Sequence, residues 1–294
     1  MMMASTMSDR VVLPATLRPF HYELSIYVVE MGGRFTFHGT VRIHATVAHK
    51  CKEILLNTNE LEILSAEVQG VKPRDIMHDD ASQRLTLLLE EPLSVSDEIV
   101  IAIKYQGVIN TNMTGFYRSK YKPVVPPAAS VPMVDDYHWH FSTQFEACEA
   151  RRAFPCFDEP ALKATFELEV ELPEDQVALS NMPVKTTRKG KQGLQVVSFE
   201  RTPKMSTYLL AWAVGDFEYI ETFTERKYRG KPLPYRVYTT RGLKSQGQHA
   251  LEHGPKIIDL FSDLFEVEYP LPKVDILAVH EFVSTLPNVW NPHT

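Results

Sequence analysis

The chain has 294 residues, of which 44% are hydrophobic and 23% charged, and it carries a formal net charge of −6. This balance is typical of an ordinary globular protein, and the length favours two domains. The acidic balance argues against nucleic acid or an anionic membrane as a partner. Three cysteines are too few for a disulfide framework, and neither a signal segment nor a bilayer-spanning apolar run is visible, so we expect a cytoplasmic protein with reduced thiols.

The first strongly patterned region predicts a β-hairpin. The run HYELSIYVVE is followed by Met31-Gly32-Gly33, a hairpin signal, and then by RFTFHGTVRIHATV. Apolar and polar residues alternate in the second run, which favours a strand with one buried and one solvent-exposed face. The residues predicted to point inward are Phe35, Phe37, Val41, Ile43, Ala45 and Val47.

Further strands are predicted up to about residue 221. In FELEVELP the inward residues are Phe166, Leu168, Val170 and Leu172, and Pro173 ends the run. RLTLLLEE, EIVIAIKYQG, LQVVSFER and STYLLAWAVG are similar candidates, and KTTRKGK is interpreted as a solvated hairpin tip. KPVVPPAASVPMVDD, with four prolines, is interpreted as a long loop. Together these runs predict antiparallel sheets in a sandwich-like arrangement.

The pattern changes after residue 221 to strand, helix and strand. LPYRVYTT predicts a strand, SQGQHALEHGPKIIDLFSDLFEVEY a helix, and KVDILAVHEF a second strand. We therefore predict domain 1–221 as mainly β and domain 222–294 as the incomplete opening of a mixed α/β domain, too short for a stable core of its own. The predicted apolar face of the helix consists of Leu251, Gly254, Ile257, Ile258, Phe261, Leu264 and Phe265.

One stretch, STQFEACEARRAFPCFDEP, fits neither a strand nor a helix pattern for long. It brings carboxylates and guanidinium groups together among aromatic residues. Arginine forks that pair with carboxylates are common structural contacts, so a salt-bridged turn at a sheet edge is one interpretation. The charged residues concerned are Glu146, Glu149, Arg151, Arg152, Asp158 and Glu159.

TQFEACEARRAFPCFDEPALKATFELEV also resembles the N-terminal domain of the zinc metallo-aminopeptidase family, of the puromycin-sensitive and aminopeptidase N type. LPATLRPFHYELSI, GFYRSKY, NMPV and STYLLAWAVGDFEY extend the resemblance in the family's order over almost the whole chain. The resemblance implies a saddle-like, antiparallel β-sandwich followed by the truncated start of a thermolysin-like zinc peptidase domain.

The same resemblance implies two substrate-binding residues, Gln144 and Glu146 of the T-Q-x-E segment. Glu146 would accept the free α-ammonium group of a peptide, and Gln144 would line the pocket for the first side chain. An exopeptidase has to recognise the charge at the chain end, and truncating one partner of such a pair costs about 2–5 kcal/mol. The implied partners are peptide N-termini and the missing zinc catalytic domain. Arg151, Arg152, Asp158 and Glu159 are interpreted as scaffold.

HEFVS, from His280 to Ser284, carries the first two letters of the zinc motif H-E-x-x-H. That motif places two histidines one helical turn apart, whereas HEFVS has one histidine after a predicted strand. Catalytic zinc normally takes three protein ligands. We therefore predict no metal ligand and no catalytic residue in this chain, and zinc only in the complete family enzyme.

The segment TLPNV, from Thr285 to Val289, stands where the family has G-[AG]-M-E-N. Asn288 would replace the glutamate that gives the family its second carboxylate for the α-ammonium group. Two interpretations stay open: a fragment of a longer aminopeptidase, or a truncated paralogue that serves as a non-catalytic β-sandwich module binding peptides or a protein. The fragment interpretation predicts an uncovered face at Ile258, Phe261 and Phe265.

Overall fold

A computed structural model describes residues 12–30, 35–129, 133–134, 136–191 and 193–282. The segment TLPNV, which was compared with the family's G-[AG]-M-E-N motif, lies outside the described residues. One α-helix, α1 (Gln248–Leu264), is described between the last two strands. The strands, in chain order, are β1 (Leu17–Glu30), β2 (Thr36–Val47), β3 (Cys51–Asn57), β4 (Leu61–Val68), β5 (Asp75–Asp79), β6 (Arg84–Leu93), β7 (Glu98–Val108), β8 (Gly115–Tyr121), β9 (Met133–Val134), β10 (Tyr137–Gln144), β11 (Thr165–Pro173), β12 (Val177–Ser180), β13 (Val184–Lys189), β14 (Leu194–Phe199), β15 (Trp212–Gly215), β16 (Phe217–Tyr228), β17 (Lys231–Thr240) and β18 (Val274–Leu277).

Two large sheets form the mainly β architecture that the sequence predicts. A seven-stranded sheet has the order β13-β14-β11-β1-β2-β7-β4, and a five-stranded sheet has the order β12-β15-β10-β8 with β9 beside β10. A small sheet, β3-β6-β5, completes the sandwich. The pairs are antiparallel except that β1 runs parallel to β11, so the seven-stranded sheet is mixed, which strand alternation does not reveal.

The core lies between these sheets, where the alternating strands turn their apolar sides. All six residues predicted to point inward from the run RFTFHGTVRIHATV are buried, and so are the four predicted from β11. Aromatic rings join the sheets: Phe37 meets Phe116 at 5.2 Å between ring centroids, and Phe116 meets Trp212 at 5.4 Å. Large rings bury the most apolar area per residue and prefer such edge or tilted contacts. The alternation in the sequence therefore predicted this core correctly.

The predicted strand–helix–strand unit is confirmed as β17, α1 and β18. β16, β17 and β18 form a three-stranded sheet in which β18 runs parallel to β17, as a helical crossover requires. β16 starts at Phe217 and continues past the domain boundary predicted at residue 221, which stays a prediction. Among the described residues, no helix has the length and apolar character needed to cross a bilayer.

The predicted apolar face of α1 is only half covered. Leu251 and Ile258 pack against the cluster that contains Tyr235 and Val237. The fragment interpretation predicted an uncovered face at Ile258, Phe261 and Phe265. Ile258 is covered, because it packs against the three-stranded sheet, whereas Phe261 and Phe265 are exposed as predicted. Phe261 is 49% exposed, and Leu264 and Phe265 are each 65% exposed.

The three-stranded sheet also contacts the five-stranded sheet. Tyr238 lies in one buried cluster with Leu179 and Ala213, which are strand residues of the five-stranded sheet. The Lys273 ammonium donates to the Ser180 carbonyl at 2.8 Å and pairs with the Asp275 carboxylate. These contacts join the start of the α/β unit to the sandwich at the edge formed by β12.

Candidate functional site

The candidate site is the turn that follows β10. Gln144 is the last residue of this strand and pairs with Gly115 of β8. Phe145 comes next, and its buried ring contacts Trp212 at 5.3 Å and Phe154 at 6.1 Å. Because alternate residues of an extended chain point to opposite sides, burial of this ring turns its two neighbours outward. The aromatic core therefore fixes the turn, and Gln144 and Glu146 project from it.

Glu146 is exposed, and its backbone N–H donates to the Gln144 side-chain carbonyl at 3.2 Å. The Glu146–Ala147 peptide bond is cis. Over the part of the chain that the structure describes, the Glu146 carboxylate has no ion pair and accepts no hydrogen bond. The structure thus brings the two predicted substrate-binding residues together, with Gln144 folded over the backbone of the turn.

The other charged groups of this stretch are engaged with one another. The Arg151 Nε donates to the Asp158 carboxylate at 3.0 Å, and the Thr207 hydroxyl donates to the same carboxylate at 2.8 Å. The Glu159 carboxylate accepts from the Leu13 backbone N–H. These are the contacts expected of the scaffold role that we assigned to Arg151, Asp158 and Glu159.

Arg152 ties the turn to a second part of the sandwich. Its guanidinium pairs with Glu149 within the turn and with Glu60, at 2.5 Å, in the connection between β3 and β4. Burial alone would lower the pKa of Arg152, but hydrogen bonds to Glu60 and Glu149 raise this pKa above its ordinary value. Arg152 therefore stays cationic, and it pairs with both Glu149 and Glu60.

A groove of about 250 Å³ runs beside the same strand. Its lining includes Thr143 and Trp212 of the five-stranded sheet, together with Leu277 of β18 and Phe282. Sequence reasoning did not find this groove, since it is made by contacts between segments far apart in the chain. The four-residue β15, which contains Trp212, carried no pattern beyond that of a strand.

His280 takes up a structural position. Its ring stacks on Tyr121 at 5.0 Å and 9°, and its Nε2 lies 2.9 Å from the Thr240 hydroxyl. The backbone N–H of His280 donates to the Nε2 of buried His140 at 3.4 Å. Burial, together with the nearby His280, lowers the pKa of His140 to about 3, and burial also lowers the pKa of His280. Both imidazoles are therefore neutral near pH 7.

The described ranges contain no group of three or more His, Cys, Asp or Glu side chains placed to hold a metal ion. The nitrogen Nε2 of His280 faces a hydroxyl, and that of His140 accepts a backbone N–H. Catalytic zinc normally takes three protein ligands. The described residues do not fit a catalytic zinc ion.

Comparison with known protein families gives one match to a family model. Residues 18–209 match the family model described as the peptidase M1 N-terminal domain. The chain belongs to the peptidase M1 family. The matched M1 domain runs from β1 to the residues just before β15, so it contains the strands of the sandwich up to β14 and the turn with Gln144 and Glu146.

Individual relatives of this M1 chain are named aminopeptidases. Alanine/arginine aminopeptidase of Saccharomyces cerevisiae is 36% identical over 286 residues, which is 96% of this chain and 31% of the relative. Aminopeptidase 2, mitochondrial, of the same yeast is 36% identical over 96% of this chain and 28% of the relative. Aminopeptidase M1 of Arabidopsis thaliana is 38% identical over 85% of this chain and 27% of the relative. The chain thus spans about a third of the length of these relatives.

Proposed function

We propose that this chain is the N-terminal, substrate-clamping part of a zinc-dependent aminopeptidase that removes N-terminal residues from peptides. In this proposal Glu146 accepts the α-ammonium group of the substrate, and Gln144 lines the pocket for the first side chain. Zinc, carried by a catalytic domain outside the described residues, would supply Lewis-acid activation of the scissile carbonyl. A cytoplasmic location remains part of the proposal.

The observation that carries the proposal is the unpaired carboxylate of Glu146. Its neighbours Glu149, Asp158 and Glu159 are each engaged by a cation or a backbone N–H. Glu146, held outward by the buried ring of Phe145, is the one of the four without an ion pair or an accepted hydrogen bond within the described residues. A carboxylate that the fold turns outward and leaves without an ion pair is available for a cationic ligand.

An unpaired carboxylate is complementary in charge to a peptide N-terminus. The α-amino group has a pKa of about 8 and is therefore mainly protonated at pH 7. An internal peptide bond presents no charge at the equivalent place. Pairing with Glu146 would therefore select chain ends and would exclude internal bonds, as an exopeptidase requires. The aminopeptidase names of the relatives support this reaction class.

Weak binding to the isolated chain is measurable by NMR. Trialanine would be titrated into 15N-labelled protein at pH 7, and the amide shifts of residues 144 to 149 followed. We expect saturable shifts that disappear with Glu146→Gln and with N-acetylated trialanine. Glu149→Gln is the matched control, because it removes a carboxylate three residues away that already pairs with Arg152.

Two results would contradict the proposal that Glu146 binds the α-ammonium group of a peptide. Equal shifts from the acetylated peptide would mean that the charge is not recognised, and unchanged shifts in Glu146→Gln would assign the recognition to another group.

A further inference from the structure

The outer face of the seven-stranded sheet, which points away from the core, contains a second cavity. It has a volume of about 640 Å³ and is lined by residues of this sheet and of the turn after β13. Tyr27, His38 and Lys104 belong to its central strands β1, β2 and β7. Leu64 on β4 and Lys191, in the turn after β13, come from opposite sides of the sheet. The sheet is therefore concave here, since its two margins reach one cavity.

The strand register explains why these side chains converge. Tyr27 pairs with His38 on one side and with Glu171 on the other, which places the three residues in one row across the strands. Lys104 pairs with Thr40 in the neighbouring row. Directly opposite side chains on one face of a sheet lie about 5 Å apart. The cavity floor thus combines an aromatic ring with cationic and polar groups.

The lysines of this cavity differ in their ion pairing from the arginines on the same face of the sheet. Arg42 pairs with Glu23 at 3.3 Å, Arg188 with Glu169 at 3.1 Å, and Arg201 with Glu167 at 2.8 Å. Lys104 and Lys191 have no ion pair within the described residues. The cavity therefore has two ammonium groups and one carboxylate, Glu171, which leaves a local excess of positive charge in a chain whose net charge is −6.

Two leucine side chains add apolar surface to the lining of this cavity. A β-bulge between Ile63 and Ser65 leaves Leu64 48% exposed, and this side chain lines the cavity together with Leu194. Ligand sites of about 300–1,000 Å³ that combine apolar walls with a few polar groups are typical of small-molecule binding. The volume and the lining both fall in this class.

We propose that this concave face binds a small organic anion, with its carboxylate or other acidic group between Lys104 and Lys191 and its apolar body against Tyr27 and Leu64. The site lies on the sheet opposite to the one that carries Gln144 and Glu146. It is therefore independent of the proposed peptide clamp, and failure of either proposal leaves the other intact.

Calorimetric titration with 2-naphthoate at low salt tests the proposal, with 2-naphthamide as the uncharged analogue and inorganic phosphate as the anion without an apolar body. We expect 2-naphthoate to bind most tightly and its affinity to fall with added salt, because salt screens exposed charges. Lys104→Gln and Lys191→Gln should each weaken binding by about two- to five-fold, the range expected for exposed ion pairs. Leu64→Glu, which places a carboxylate at the exposed rim, should remove binding.

Lys163→Gln is the matched control, since this exposed lysine lies outside the cavity. Circular dichroism melting of each variant would establish that its fold is retained. Equal affinity of the wild type and both lysine variants would overturn the proposal, and so would equal affinity for naphthoate and naphthamide. If Leu64→Glu alone lost binding while the lysine variants did not, an apolar contact without anion recognition would replace it.

Discussion

The Arg151 guanidinium and the Asp158 carboxylate form a buried ion pair at 3.0 Å, with the aspartate side chain only 1% exposed. The same carboxylate accepts from the Thr207 hydroxyl, and the Asp158 backbone N–H donates to the Asn57 side chain at 3.1 Å. Removing one partner of such a pair leaves an uncompensated buried charge and costs about 3–5 kcal/mol. Asp158→Asn should therefore lower the free energy of unfolding by that amount in urea denaturation.

The control for Asp158→Asn is Glu167→Gln. Glu167 also pairs with an arginine, Arg201, but both side chains are substantially exposed. Pairs of this kind contribute about 0–1 kcal/mol. A loss in Asp158→Asn no larger than in Glu167→Gln would contradict the scaffold role of the buried pair.

His140 should make the stability of the fold depend on pH. Its pKa in the folded chain is about 3, lowered by burial and by His280, whereas the unfolded chain takes the ordinary value of 6.5. Between these values the unfolded state binds more protons, so the free energy of unfolding decreases as the pH falls below about 6.5. From pH 7 to pH 5 we expect this group alone to remove roughly 2 kcal/mol.

Urea denaturation of the wild type and His140→Gln at pH 7 and pH 5 measures this effect. The glutamine side chain keeps an acceptor for the His280 N–H but does not titrate, so the pH dependence should become shallower. His49→Gln, at an exposed position, should leave the dependence as in the wild type. Identical pH dependence in all three proteins would contradict the prediction.

Gly115 pairs with Gln144 of the candidate site and lies against the side chain of Arg152. Its φ of +66° is in the left-handed region, and a Cβ at this position would lie 2.6 Å from the Cβ of Arg152. Gly115→Ala should therefore cost both the backbone strain of about 1–2 kcal/mol and a steric clash. Gly70→Ala is the matched control, because Gly70 has a φ of +77° and a Cβ added there would meet no atom within 4 Å.

Thermal or urea denaturation of the two alanine variants separates these costs. Gly70→Ala should show the backbone cost alone, and Gly115→Ala should be less stable than Gly70→Ala. Equal losses would mean that Arg152 moves without cost, so that its pairs with Glu149 and Glu60 do not hold the turn in place.

The exposed end of α1 should promote self-association. Leu264 and Phe265 are each 65% exposed, and the Phe265 ring lies 5.8 Å from that of Phe261. Exposed apolar side chains clustered in this way are sites of association. We expect the chain to associate in sedimentation velocity runs at increasing concentration. Leu264→Lys and Phe265→Lys should reduce this association without loss of stability, since neither side chain is buried.

His249→Lys provides the control for added charge. It places a lysine at an exposed position near the start of the same helix, away from the patch. Association should persist in this variant. If it disappeared equally in all three variants, net charge and not the apolar patch would be the cause.

Much of the fold follows from the sequence, because alternation reports directly on which side of a strand meets water. The inward residues of β2 and β11 were predicted individually, and the helical period predicted α1. The same period did not show which part of the apolar stripe is covered. That depends on how many strands lie beneath the helix, and the sheet is described with three. Parallel pairing of β1 with β11 is likewise absent from any local pattern, since both pairings give the same alternation.

The sequence by itself determined the family, through motifs in fixed order, and it identified Gln144 and Glu146 as the candidate site. Only the tertiary structure decided that Asp158 and Glu159 are engaged while Glu146 is not, because the groups that reach them include Thr207 and Leu13, which are distant in sequence. It also decided the position of the two cavities, since each is bounded by segments that meet only after folding. The alternation of apolar and polar residues along a strand predicts which side chains are buried. Which charged side chains form ion pairs depends on contacts between segments that are far apart in the sequence.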